Sequence, residues 1–399
     1  MGKQVSTHMH QNCPPAKFGT KHFRHSTFRT SGRRLSQAND VAFLRDGQCL
    51  RRHTSPRYFD YQLHVIPPQL HPHTPSIKPS TMPPFPHHYP FDPTYGLSLE
   101  QLLEIAPPAA PNDFASFWQE RYRRTLEIRV EPHLSRQAVD HPQFYVHDLT
   151  FQSTGDFIVG GWLLVPREEP IFKGMVVGHG YGGRENPDFH WPMANTVYVF
   201  PCFRGLGRSR APGVSATPHW HVLHDIQDRE RYILAGCVED LWLSVSAMVK
   251  LFPETQGHIG YIGTSFGGGI GALALPWDSR IRLAHLNVPT FGHMPLRLAM
   301  PTLGSGEAVR QFQRQHCNTI DTLRYYDAAT AARYSPIPVH VAAAQFDPVV
   351  APPGQFAVYN ALPKPKRLFV LAAGHFQYPG QAEEEGRLLD DLENFFEPL

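Results

Sequence analysis

Downstream of residue 170, short apolar runs alternate with longer helix-like stretches, and this rhythm restricts the fold more than any other feature of the chain. The apolar runs are "KGMVVGHG", "NTVYVFPCF", "GHIGYIG", "LAHLNVP", "PVHVAAAQFD" and "RLFVLAAG", and among them lie "ERYILAGCVEDLWLSVSAMVKLF", "PGQFAVYNAL" and "EEEGRLLDDLENFF". A strand buried on both faces reads as a near-continuous apolar segment, and parallel neighbours need a crossover of about a dozen residues, usually a helix. The pattern therefore predicts an α/β fold with a mostly parallel, doubly wound sheet and helices on both faces. Upstream, "QFYVHDLTFQS" and "FIVGGWLLVP" alternate around Gly155-Asp156 and predict a β-hairpin. The stretches "LSLEQLLEI" and "DFASFWQERYRRTLEI" have helical apolar spacing, with Asn112 or Asp113 as a cap. No internal repeat or long linker interrupts this body, so we expect one domain over residues 90–399.

The preceding segment has a different texture. Of the 37 Lys and Arg and 35 Asp and Glu in the 399-residue chain, residues 1–81 hold 12 and 3, so the body is mildly acidic and the leader basic. Rich in Pro and His and poor in periodicity, residues 1–89 are expected to be disordered, because such a composition cannot bury enough apolar surface to fold. A targeting presequence lacks its amphipathic helix here, and a nucleic-acid-binding arm lacks any reading motif. A passive tail, or an upstream start codon with Met82 as the real beginning, is the reading we favour, with no nucleic acid as partner. No run approaches the roughly eighteen apolar residues of a membrane helix, and no apolar core marks a secretory signal. Five widely spaced cysteines, at 13, 49, 202, 237 and 317, form no C-x-x-C pair and fit free thiols in a reducing, cytoplasmic setting.

Within "GHIGYIGTSFGGGIGALAL", Gly263-Thr264-Ser265-Phe266-Gly267 spells G-x-S-x-G between a strand-like and a helix-like segment. A nucleophile on a sharp strand-to-helix turn needs residues without bulk two positions to either side, where chain segments crowd together. In a chain with 31 glycines the same motif also fits a plain structural turn, so partners decide. A serine hydroxyl needs a base to take its proton, commonly a histidine oriented by a carboxylate. Asp347 follows the strand-like "PVHVAAAQF" and His375 follows "RLFVLAAG", so all three residues fall at predicted carboxyl ends of strands, in the Ser, Asp, His order of α/β-hydrolases. The oxyanion donors would be the amides of Phe266 and of Tyr181 in "GHGYGG".

Two other motifs suggest competing chemistry. "GHGYGG" also matches the dinucleotide fingerprint G-x-G-x-x-G, but Asn186-Pro187 and Pro192 break the helix that fingerprint requires, and the next strand ends at Pro201-Cys202-Phe203-Arg204 without an acid. "HWHVLHD" offers His219, His221, His224 and Asp225, yet Leu223 stands where a dinuclear metal site needs a carboxylate. Neither a cofactor nor a metal is expected.

With these motifs placed, residues 90–399 resemble the acetyl xylan esterase and cephalosporin C deacetylase family of α/β-hydrolases. The resemblance rests on "PNDFASFWQE", "GHGYGG", "FRGLGRS", "GTSFGGGIGALAL", "YYDAATAARYSPIPVHVAAAQFDPVVAPPGQFAVYNAL" and "AAGHF". It implies Ser265, Asp347 and His375 as triad, amides of Tyr181 and Phe266 as oxyanion hole, Tyr181 at the substrate, and a cytoplasmic homo-oligomer removing acetyl groups from sugars and related esters. Three positions depart from the family pattern: Leu206 replaces its usual Gln, Cys202 its Asp, and Phe376 its Glu after the histidine. These changes are expected to alter which acyl group or alcohol is preferred. A prolyl-oligopeptidase-type peptidase would need a large accessory domain that 90 upstream residues cannot supply, and a non-catalytic binding protein would not need the intact Ser, Asp and His.

Overall fold

The computed structural model describes residues 85–136, 139–167 and 170–399; the disorder expected of the basic leader falls outside the described residues as far as position 84. Nine strands form a single sheet: β1 (His133–Arg136), β2 (Phe144–Gln152), β3 (Ile158–Pro166), β4 (Lys173–Gly178), β5 (Thr196–Pro201), β6 (Ile259–Thr264), β7 (Ile281–Asn287), β8 (Val339–Ala344) and β9 (Lys366–Leu371). Their order is β1-β2-β3-β5-β4-β6-β7-β8-β9. Strands β4 to β9 run parallel, and β1, β2 and β3 continue the sheet antiparallel.

The expected hairpin is β2 with β3, paired without interruption from Phe144 opposite Pro166 to Gln152 opposite Ile158. Its turn at Thr154–Asp156 places Gly155 and Asp156 at φ 64° and 59°, a left-handed conformation that glycine and aspartate tolerate better than most residues. Strand β1 was not expected; "HLSR" is short and polar, and it becomes a strand only because β2 offers an open edge.

Both faces of the sheet are covered, as the apolar runs imply. Alternate side chains divide between two cores: Leu163, Val176, Val197 and Val199 face one, and Trp162, Leu164, Met175, Val177, Tyr198 and Phe200 the other. The first core takes the helix Ile233–Leu251, apolar nearly all round, together with Phe266–Ala274 and Pro352–Ala361. The second takes the C-terminal helix Gln381–Phe396 through Leu388, Leu392 and Phe396, one residue per turn on a single stripe. The helix Phe114–Thr125 starts at Asp113, which makes no capping bond; its carboxylate instead accepts from Tyr325 Oη at 2.5 Å and Arg229 Nη1 at 3.1 Å.

Strand β4 lies between β5 and β6, the place where connections leave in opposite directions and a crevice opens at the strands' carboxyl ends. The loops after β4, β6, β8 and β9 carry "GHGYGG", Ser265, Asp347 and His375.

Candidate active site

Ser265 is the junction between β6 and the helix Phe266–Ala274, at φ 53° and ψ −105°. A β-carbon normally avoids this conformation, which costs on the order of 1–3 kcal/mol and persists only when its surroundings enforce it. Here enforcement comes from hydrogen bonds: Ser265 N donates to Asn287 O at 2.8 Å, and Ser265 O accepts from Thr290 N and Gly269 N. The crossing is also tight, since a β-carbon on Gly263 would lie 2.5 Å from Gly267 O. The flanking glycines are therefore required by contact.

The three residues singled out by chain order meet in space. His375 Nε2 is 2.9 Å from Ser265 Oγ, and His375 Nδ1 is 2.8 Å from Asp347 Oδ2. Asp347 is fully buried; its Oδ1 accepts the amides of Val349 and Val350, and its Oδ2 also accepts from Gln355 Nε2 at 2.9 Å. With every acceptor position engaged, the carboxylate is held in one orientation. Burial disfavours charge on His375, but the Asp347 charge and hydrogen bond outweigh it and hold the imidazole pKa above its ordinary value. The His375 side chain keeps 19% exposure, so the reacting edge is reachable.

Opposite the serine, the loop after β4 is braced by two neutral histidines. His179 Nδ1 donates to Gly180 O at 2.6 Å, and its Nε2 accepts the Phe203 amide at 3.0 Å; burial lowers its pKa to about 3. His221 Nε2 donates to Arg204 O, so its Nδ1 accepts from Tyr181 Oη at 2.9 Å, and burial lowers its pKa to about 4. His221 thus anchors Tyr181, and among the described residues no three His, Cys, Asp or Glu gather at metal-binding distance. The amides of Tyr181 and Phe266 have no hydrogen-bond acceptor among the described residues. Arg204 is locked below this loop, with Nη2 at 2.6 Å and Nε at 3.1 Å from the two oxygens of buried Asp240.

The departures from the family pattern have distinct fates. Leu206 and Cys202 are fully buried in the core. Phe376 instead joins a wall of rings beside His375: Phe346 at 4.9 Å, Phe85 at 5.6 Å and Tyr89 at 6.4 Å. Residues 85–89, assigned to the leader on composition, pack here. In "FPHHYPF", Phe85, His87, Tyr89 and Phe91 turn one way and Pro86, His88 and Pro90 are exposed, and Pro93 O accepts the Asp347 amide at 3.2 Å. The period-two spacing of rings in "FPHHYPF" was the available signal, masked by the prolines around it. Gln355 and His179 were missed because a buried polar residue looks no different in sequence from a solvated one.

Comparison with known proteins agrees with this architecture. Residues 93–388 match the family model described as acetyl xylan esterase. The fold is similar to that of an acetyl xylan esterase from Paenibacillus sp. R4, at 21% identity and TM-score 0.63, over 74% of this chain and 99% of that one. It is equally similar to acetyl xylan esterase 1 from Thermoanaerobacterium sp. JW/SL YS485, at 21% identity and TM-score 0.63, over 76% and 99%. An acylaminoacyl peptidase shares the fold at 15% identity and TM-score 0.51, but only 41% of its length is covered. No curated protein sequence matches the chain. The family match over residues 93–388, carried on an α/β-hydrolase fold, shows that the chain belongs to the acetyl xylan esterase family of carboxylic ester hydrolases.

Proposed function

We propose that the protein is a serine carboxylesterase that removes small acyl groups, acetyl above all, from sugar hydroxyls through an acyl-serine intermediate. The observation that carries this reading is the chain of two hydrogen bonds, Ser265 Oγ to His375 Nε2 at 2.9 Å and His375 Nδ1 to Asp347 Oδ2 at 2.8 Å. Asp347 fixes the tautomer that leaves Nε2 free to take the serine proton, and it stabilises the imidazolium that results. Ser265 Oγ attacks the ester carbonyl, and the negative charge develops against the amides of Tyr181 and Phe266. His375 returns its proton to the departing alcohol, and water, deprotonated by the same histidine, then releases the acid from the serine. Family membership supports an acetylated sugar as the substrate and a homo-oligomer as the working form. A cytoplasmic site of action, and a catalytic domain that begins with the ring-bearing segment at Phe85, complete the reading.

Ser265→Ala tests it directly. We expect hydrolysis of p-nitrophenyl acetate and of acetylated xylo-oligosaccharides to fall to background while circular dichroism is unchanged, and a fluorophosphonate probe to label the parent protein alone. Turnover by the alanine variant would refute the nucleophile assignment. Light scattering on purified protein tests the oligomer, and a monomer at micromolar concentration would remove it.

A further inference from the structure

Arg297, in the helix Met294–Ala299, is only 7% exposed and has no carboxylate at ion-pair distance among the described residues. Its Nη1 donates to Thr290 Oγ1 at 3.0 Å, while its Nε is buried with no partner. Burial disfavours its charge, and the groups near it are the neutral phenols of Tyr232, Tyr181 and Tyr95. Each of them donates its proton elsewhere: to Val222 O, to His221 and to Pro301 O. Thr302 Oγ1 is also buried and unpartnered. The two side chains approach each other, because a β-carbon on Gly306 would stand 2.7 Å from Thr302 Oγ1 and 3.3 Å from Arg297 Cζ and Nη2. Both residues line a small cavity with Phe291, Leu296, Met300 and Val350, and it has room for about one water-sized body. A guanidinium buried without a counter-charge is strongly disfavoured, and an apolar wall supplies none.

We propose that Arg297 and Thr302 form a binding site for a small inorganic monovalent anion, chloride in the cell. Chloride is close to water in size, accepts several N–H and O–H donors at once, and supplies the missing charge; a carboxylate is too large for the space. Through Thr290, whose side chain bonds Arg297 and whose amide bonds Ser265 O at 3.1 Å, the anion steadies the loop beside the serine. This site is separate from the ester chemistry and does not depend on it.

Crystals of the full chain grown in sodium bromide and measured at the bromine edge test the proposal. We expect one anomalous peak within hydrogen-bond reach of the Arg297 guanidinium and Thr302 Oγ1. In solution at fixed ionic strength, chloride and bromide should raise Tm by about 2 °C or more over gluconate, with acetate no better than gluconate. Gly306→Ala, whose methyl would press on Thr302 Oγ1 and the guanidinium, should reduce the halide shift; if that variant fails to fold, Thr302→Val should reduce the shift at least about threefold. A water without anomalous signal at saturating bromide, equal Tm in chloride and gluconate, or stabilisation by acetate where halides have none would each overturn it.

Discussion

Replacing Gly267 by alanine adds one methyl group where the fold has no space. Its β-carbon would stand 2.7 Å from Gly178 C, 2.8 Å from Gly178 O and 2.9 Å from His179 O. Carbon contacts are ordinarily about 3.5 Å or longer, so relief requires a separation of roughly 0.6 to 0.8 Å. Neither side recoils easily. Gly178 ends β4 and pairs with Gly263 of β6, while Gly267 N donates to His179 O at 2.9 Å and Gly267 O accepts from Tyr261 Oη at 2.6 Å. Overpacking of this kind costs about 1–3 kcal/mol. The same movement parts the amides of Tyr181 and Phe266, which flank the contact, and misplacing one oxyanion donor costs about 10²–10³ in kcat. We expect Gly267→Ala to fold, to lose about 1–3 kcal/mol in urea unfolding, and to lose about 100-fold in kcat on p-nitrophenyl acetate with KM little changed. Gly386→Ala is the matched control: it lies in the helix Gln381–Phe396 with open space around it, and should gain about 0.5–1 kcal/mol with kcat unaltered. A Gly267→Ala enzyme with kcat within about twofold of the parent would refute the oxyanion assignment, because the donors cannot be displaced so far without effect.

Activity should be lost on acidification through a pKa above the ordinary histidine value, because the reacting form is neutral His375 and Asp347 stabilises the protonated one. Asp347→Asn should move that acid limb of kcat/KM to lower pH and reduce kcat by about 10⁴, and an unmoved limb would show that another group titrates. Arg204→Met leaves Asp240 buried without its counter-charge and should cost about 3–5 kcal/mol in urea unfolding, much of it recovered when Asp240→Leu is added; a cost below about 1 kcal/mol would mean the pair is dispensable. A double-mutant cycle between Phe85→Ala and Phe376→Ala should give a coupling of about 0.5–1.5 kcal/mol, and strictly additive losses would show that the ring segment is not seated beside His375.

The strands behind Ser265, Asp347 and His375 are legible in the sequence because each depends on a short apolar run and the turn residues that follow it, both local signals. The hairpin of β2 and β3 is legible for the same reason, with its turn and alternation contained in about two dozen neighbouring residues. Polar residues that support the site are not. Gln355 orients Asp347, His179 braces the loop after β4, and His221 holds Tyr181, yet each belongs to a stretch that reads equally well as solvated. "HWHVLHD" is the sharpest case. Its histidines suggest a metal ligand set in sequence, but His221 binds a phenol and a carbonyl contributed by residues 40 and 17 positions away.

By itself, the sequence determined the layered α/β class, the order of Ser265, Asp347 and His375 and their positions at strand ends, because hydrophobic periodicity and turn chemistry act over a few neighbouring residues. Tertiary structure alone decided that β4 lies between β5 and β6, that "FPHHYPF" leaves the leader to line the site with rings, that Arg204 finds Asp240, and that Arg297 finds no carboxylate among the described residues. Those outcomes depend on groups tens to hundreds of residues apart competing for the same buried space. There, desolvation makes a pairing strong when it forms and costly when it does not, and no local pattern records which occurs.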